Sequence, residues 1–130
     1  GLSVGVIKHV SCELQFADAD SSRYRAFASV VAAASPSEAE VIVKGEKSLE
    51  DMLRYCADCD FVLVEGFKKE RRFPKIVCLR GKEEREKLFD GMELFTASLK
   101  PGIADYLISN DEHIRKMAAI VMDRAFEVAY

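Results

Sequence analysis

Glu65 stands at the end of an unbroken apolar run, Phe61-Val62-Leu63-Val64, and is followed by Gly66, Phe67 and Lys68. The length and flanks of the run predict a strand buried on both faces, as in a parallel sheet. Such a strand delivers its carboxylate to the carboxyl end, where ligands bind in open α/β sheets. Gly66 lets the backbone turn tightly there or approach a ligand closely. An acid so placed can orient Mg2+ or its waters beside a nucleotide, in the form of a Walker B element. The same residues also describe a strand that merely ends in a solvated glutamate.

Other residues carry a chemical and a structural reading side by side. Lys8 and His9 end an apolar segment and either face an anionic ligand or close an exposed strand. Asp20 and Ser21 either form a switch segment near Mg2+ or cap a helix. Arg23 and Arg25 either grip phosphate or remain solvated helix charges. Lys68, Lys69, Arg71, Arg72 and Lys75 form a basic run suited to a phosphate or an acidic partner, though charge runs in loops are usually just solvated. Cys56-Ala57-Asp58-Cys59 is a CxxC at a helix end, whereas a redox role wants it at a helix start. Zinc there would need Cys12, His9 or Cys78 as well, so two half-buried thiols are expected.

The elements that position these residues alternate in type. Strands are predicted over residues 2–7, 30–34, 40–44, 61–64, 74–79, 94–97 and 105–108. Helices are predicted over residues 20–28, 82–89 and 111–128. A further helix follows the capping box at Ser48-Leu49-Glu50-Asp51 and presents Leu49, Met52, Leu53 and Cys56 on one face. Asn110 caps the last helix, whose apolar stripe is Ile114, Met117, Ala118, Val121, Ala125 and Val128. Strands alternating with helices imply an α/β fold, an open mostly parallel sheet flanked by helices.

The chain of 130 residues has the size of a single domain, and 49% hydrophobic residues supply a core without staples. A net charge of −3 argues against nucleic-acid binding, which needs a basic footprint. No apolar run approaches the roughly 18 residues of a membrane span, and no signal peptide is evident. The four cysteines, Cys12, Cys56, Cys59 and Cys78, are expected as thiols and the compartment as the cytoplasm.

Three segments in order carry a resemblance. They are Val6-Ile7-Lys8-His9; Asp20-Ser21-Ser22-Arg23-Tyr24-Arg25-Ala26 with Ala34-Ser35-Pro36 after it; and Val62-Leu63-Val64-Glu65-Gly66-Phe67-Lys68 followed by Pro74-Lys75-Ile76. In sequence and spacing they resemble the MobB family of molybdopterin-guanine dinucleotide biosynthesis proteins, over residues 1 to about 80. The resemblance implies a P-loop NTPase-like fold, GTP and Mg2+ as ligands, and a homodimer. It also implies a MobA-type nucleotidyltransferase as partner, molybdopterin as its substrate, and an adapter with at most weak Mg-dependent GTPase activity. On this reading Glu65 is the catalytic acid and, with Asp20, the metal-side group. Lys8, His9, Asp20, Ser21, Arg23, Arg25, Gly66 and Lys68 then line the nucleotide.

The family opens with a strand and the phosphate loop G-x-x-x-x-G-K-[ST], and these 130 residues do not contain that loop. Gly45-Glu46-Lys47-Ser48 has a Lys-Ser pair without the required spacing. The expectation is therefore a MobB-like domain over residues 1–130 that is N-terminally incomplete, lacking the first strand and P-loop. It should bind GTP poorly by itself, be inactive as a GTPase, and self-associate through its open sheet. The alternative is a non-catalytic protein-interaction module that has lost nucleotide binding.

Overall fold

A computed structural model describes residues 1–15 and 19–129. The chain divides into two compact units, Gly1–Phe67 and Lys68–Tyr130.

The first unit contains β1 (Val4–Lys8), α1 (Ala19–Tyr24), β2 (Val30–Ala34), β3 (Ala39–Val43), α2 (Leu49–Leu53) and β4 (Phe61–Glu65). A 3₁₀ turn at Arg54–Cys56 extends α2. Strands β1 and β4 pair in parallel, from Val4 opposite Phe61 to Lys8 opposite Glu65. Their amino ends are tied by one carboxylate. Asp60 accepts the Ser3 N–H at 2.7 Å and the Ser3 hydroxyl at 2.9 Å, while the Asp60 N–H donates back to that hydroxyl at 3.0 Å. These bonds to the Ser3 backbone and side chain hold the Asp60 carboxyl below its ordinary range. Strands β2 and β3 form a separate antiparallel hairpin. The Ser35 hydroxyl accepts from the Ser37 and Glu38 amides and so closes its turn around Pro36. Ile7, Val31, Leu49 and Leu53 are the buried apolar side chains of this unit.

The capping box is formed as the sequence predicts: Ser48 accepts from the Asp51 N–H, and Asp51 accepts from the Ser48 N–H. Three expectations are corrected. Strand β4 is not buried on both faces, because Leu63 and Val64 are 47% and 39% exposed. Its sheet is two strands wide, too narrow to cover both faces. The first helix stops at Tyr24 instead of residue 28, and Phe27 after it is 92% exposed. That helix begins at Ala19, so Asp20 and Ser21 sit in its first turn and not at its cap. Residues 16 to 18 of the predicted loop lie outside the described residues.

The second unit contains β5 (Lys75–Cys78), α3 (Arg85–Leu88), β6 (Glu93–Ser98), β7 (Tyr106–Leu107) and α4 (Asp111–Arg124). Its sheet has the order β5-β6-β7 and is parallel throughout. Phe95, Ala97 and Met117 form the core, with Leu94, Tyr106, Ile108, Ile120 and Val121 packed against it. Asn110 caps α4 by accepting the His113 N–H. The helix ends at Arg124, so Ala125 and Val128 fall beyond it, and Ile114 of the predicted stripe is 41% exposed.

The buried polar groups of β6 are satisfied. Thr96 donates to the Asp105 carboxylate through its N–H at 2.9 Å and its hydroxyl at 2.7 Å, and its hydroxyl accepts the Asp105 N–H at 2.9 Å. The Ser98 hydroxyl donates to the Leu79 carbonyl at 2.7 Å.

Phe95, 5% exposed at the centre of the second unit, gives a direct test. Phe95→Ala should lower the unfolding free energy by about 3–5 kcal/mol, read as a reduced midpoint in urea denaturation. A change below about 1 kcal/mol would show that this cluster is not the core of the unit.

Candidate functional site

Because β1 and β4 run parallel and in register, their carboxyl ends finish together. Lys8 Nζ lies 3.2 Å from Glu65 Oε1, with both side chains more than half exposed. Solvent therefore screens the pair, which makes it weak and readily exchanged. One residue further, the His9 N–H donates to the Glu65 carbonyl at 2.8 Å and continues the ladder.

The backbone then turns out of the sheet. Gly66 adopts φ +91° and Phe67 φ +47°, the only non-glycine residue with positive φ among those described. Gly66 is required twice over, since a Cβ there would also lie 2.9 Å from His9 Cβ. An aromatic side chain in the left-handed region costs roughly 1–3 kcal/mol and persists only where surroundings over-determine it. Here the Phe67 ring packs on the His9 imidazole, with centroids 4.8 Å apart. The corner thus holds a carboxylate, an ammonium and an imidazole on a rigid, strained frame.

Sequence reasoning placed Lys8, His9, Glu65 and Gly66 here, and the structure brings these four together. It overlooked Phe67 as a site residue. The available signal was a bulky aromatic directly after a strand-ending glycine, where the left-handed turn continues.

The remaining predicted residues have described partners of their own or are placed by their element. Asp20 and Arg23 face each other on α1 at 3.6 Å, and Ser21 lies between them in sequence. Arg25 follows α1; its guanidinium donates to the Leu14 carbonyl and lies 3.9 Å from Glu13. The described ion pair of Arg23 stays within α1, and that of Arg25 reaches back to the loop before it. Lys68 opens the second unit. In the basic run after it, Glu70 accepts from the Arg71 and Arg72 amides and from the Arg72 side chain. Chiefly the Arg72 side chain pulls the Glu70 carboxyl down to about 2. Lys75 pairs with Asp90 and holds that carboxyl below its ordinary range. Arg72 and Lys75 are therefore engaged internally.

A single exposed carboxylate fits Mg2+, which takes one or two protein carboxylates together with waters and phosphates. The phosphates of a nucleotide require converging donors as well. Gly45-Glu46-Lys47-Ser48 does not supply them, because the Ser48 hydroxyl caps α2 and donates to Asp51 at 2.8 Å. Among the described residues no three or more His, Cys, Asp or Glu side chains gather as a metal cluster.

The family model for molybdopterin guanine dinucleotide synthesis protein B (MobB) matches residues 1–98. A solved structure of molybdopterin-guanine biosynthesis protein B is 26% identical, with a TM-score of 0.69 over 95% of this chain and 81% of its own. Bacillus subtilis MobB is 20% identical, with a TM-score of 0.73 over 98% of this chain and 83% of its own. A MobB homologue from Bacillus stearothermophilus is 21% identical, with a TM-score of 0.61 over 93% and 79%. The two Bacillus structures speak to the fold alone, a mixed α/β arrangement with parallel strands flanked by helices. No match is found among the curated proteins.

Two outcomes follow from this geometry. Gly66→Ala should cost roughly 1–3 kcal/mol of stability, and more than Gly45→Ala, where φ is +100° but nothing lies within 4 Å of the added Cβ. Equal losses in urea denaturation would show that the His9 contact is not restrictive. The Glu70 carboxyl is held at about 2 against an ordinary 4.5, so its contribution is present above pH 4.5 and is lost as pH falls towards 2. Glu70→Gln should therefore be less stable than the parent at neutral pH, the two converging in strong acid. A gap that stays constant with pH would remove the ion pair as its cause.

Proposed function

Because the chain belongs to the molybdopterin guanine dinucleotide synthesis protein B (MobB) family, with a role in molybdenum cofactor biosynthesis, we propose that its β1–β4 corner is the metal-side half of a GTP site. The carrying observation is the parallel register that ends Lys8 and Glu65 side by side, directly before Gly66. Open α/β sheets bind ligands at such ends. Glu65 would hold Mg2+ or its waters, with Asp20 as a second acid. When bound, the ion neutralises charge on the nucleotide phosphates. Lys8 pairs with Glu65 through an exposed, readily exchanged contact, and its ammonium would be the group that meets an anionic oxygen. His9, held against Phe67, shields the corner, and Gly66 admits close approach. Ser21, Arg23, Arg25 and Lys68 are the further contacts on this reading, each from its own segment. The proposed activity is that of an adapter with weak GTP turnover, serving a MobA-type nucleotidyltransferase that acts on molybdopterin, in the cytoplasm.

A second reading has its own support. No phosphate loop occurs in these 130 residues, and the one Lys-Ser pair is spent on a helix cap. This favours a protein-interaction module without nucleotide chemistry. The exposed Val4, Val6, Leu63 and Val64 of the β1–β4 sheet offer strand edges and faces for a second copy, consistent with a homodimer.

Titration calorimetry with GTP and Mg2+ separates the readings. The 130-residue chain should bind GTP more weakly than micromolar, since Lys8, Arg23 and Arg25 must be ordered at up to about 2 kcal/mol each. Joining a P-loop-bearing segment ahead of Gly1 should restore Mg-dependent affinity, and Glu65→Gln should then abolish the Mg dependence. Unchanged Mg dependence would remove Glu65 from the site; no gain from the added segment would favour the interaction module. Sedimentation over a wide concentration range should show a dimer, and a stable monomer at high concentration would refute the shared-sheet expectation.

A further inference from the structure

The CxxC sequence forms a built dithiol. The Cys59 N–H donates to the Cys56 carbonyl at 3.0 Å, closing a four-residue turn. Such a turn keeps its end Cα atoms less than about 7 Å apart, which overlaps the span a disulfide needs. Both sulfurs also converge on one point of β1. A Cβ on Gly5 would lie 2.9 Å from Cys56 Sγ and 3.2 Å from Cys59 Sγ. Any side chain at position 5 would drive the thiols away, so the glycine makes room for the pair. Both cysteines are half-buried, whereas Cys12 and Cys78 are exposed. Without a third ligand among the described residues, a four-coordinate metal site is not assembled here. Two adjoining thiols on a closed turn have the geometry that a two-electron dithiol–disulfide couple requires.

We propose that Cys56 and Cys59 form a reversible dithiol–disulfide site that exchanges with low-molecular-weight disulfides of the glutathione class. In the first step the Cys59 thiolate attacks one sulfur of the small disulfide. Its S–S bond breaks, a mixed disulfide forms, and one small thiolate leaves and takes up a proton. In the second step the Cys56 sulfur attacks Cys59 Sγ, forms the Cys56–Cys59 bond and expels the second small thiol. Two electrons pass from the protein to the small disulfide, and the two cysteine protons end on the two small thiols. Burial, and then the neighbouring Cys59, push the Cys56 thiol up, which suits Cys56 to the intramolecular step, where proximity replaces acidity. The linkage would stiffen the turn that leads directly into Asp60, whose carboxylate holds Ser3.

The whole chain, equilibrated in glutathione and glutathione disulfide at fixed ratios, acid-quenched and alkylated, tests this by mass spectrometry. The expected result is joint loss of two alkylatable thiols, a single peptide spanning Cys56 and Cys59 that is lighter by two hydrogens and carries no alkyl group, and full reversal by dithiothreitol, with Cys12 and Cys78 still alkylated. Cys56→Ser should stop at a mixed disulfide on Cys59. The parent chain alone decides the question should that variant not fold. Cys56 and Cys59 remaining alkylatable at every ratio, or accumulating as separate mixed disulfides without joining, would overturn the proposal.

Discussion

The carboxylate of Asp60, shared between the Ser3 amide and hydroxyl, is the interaction on which the first unit depends. A parallel strand pair has no hairpin to set its register, and a one-residue slip would reverse every side chain. Asp60 and Ser3 lie just before β4 and β1, and their reciprocal bonds settle which residues face each other along the whole pair. Lys8 meets Glu65 at the far end because Ser3 meets Asp60 at the near end. The β1–β4 corner is thus positioned by a polar contact five residues away from it.

Much of this was legible in the sequence because short-range rules govern it. The Ser48–Asp51 box, the Asn110 cap and the apolar run of β4 are local signals, and each appears where expected. Burial was less legible, because it depends on how wide the sheet becomes. An apolar run such as Leu63-Val64 announces a strand, but its exposure is set by neighbours far away in sequence. The site was read in part. Glu65, Gly66, Lys8 and His9 follow from strand-end logic, whereas the role of Phe67 depends on a positive φ that its residue type gives no reason to expect. Arg25 is a different case: its charge suggests a ligand contact, and the structure shows it engaged by Leu14 and Glu13 from the loop before α1.

The corner and the dithiol share a design. In each, a glycine is placed where another chain segment must come close: Gly66 against His9, and Gly5 against the two cysteines. Both glycines lie on the β1–β4 pair, one near its beginning and one just past its end. Close approach at these points replaces the apolar cover that a two-stranded sheet cannot provide.

The 57-residue separation between Ser3 and Asp60 also bears on how the unit is assembled. Joining these residues closes a long loop, whose entropic cost rises only as the logarithm of its length. The β2–β3 hairpin and α2 lie inside that loop and need only local contacts. If they form first, they shorten the flexible chain that remains to be closed. The step that sets the β1–β4 register then closes the longest-range contact described here and is expected to be the slow one. In that order of events Lys8, His9, Glu65 and Gly66 are brought together last.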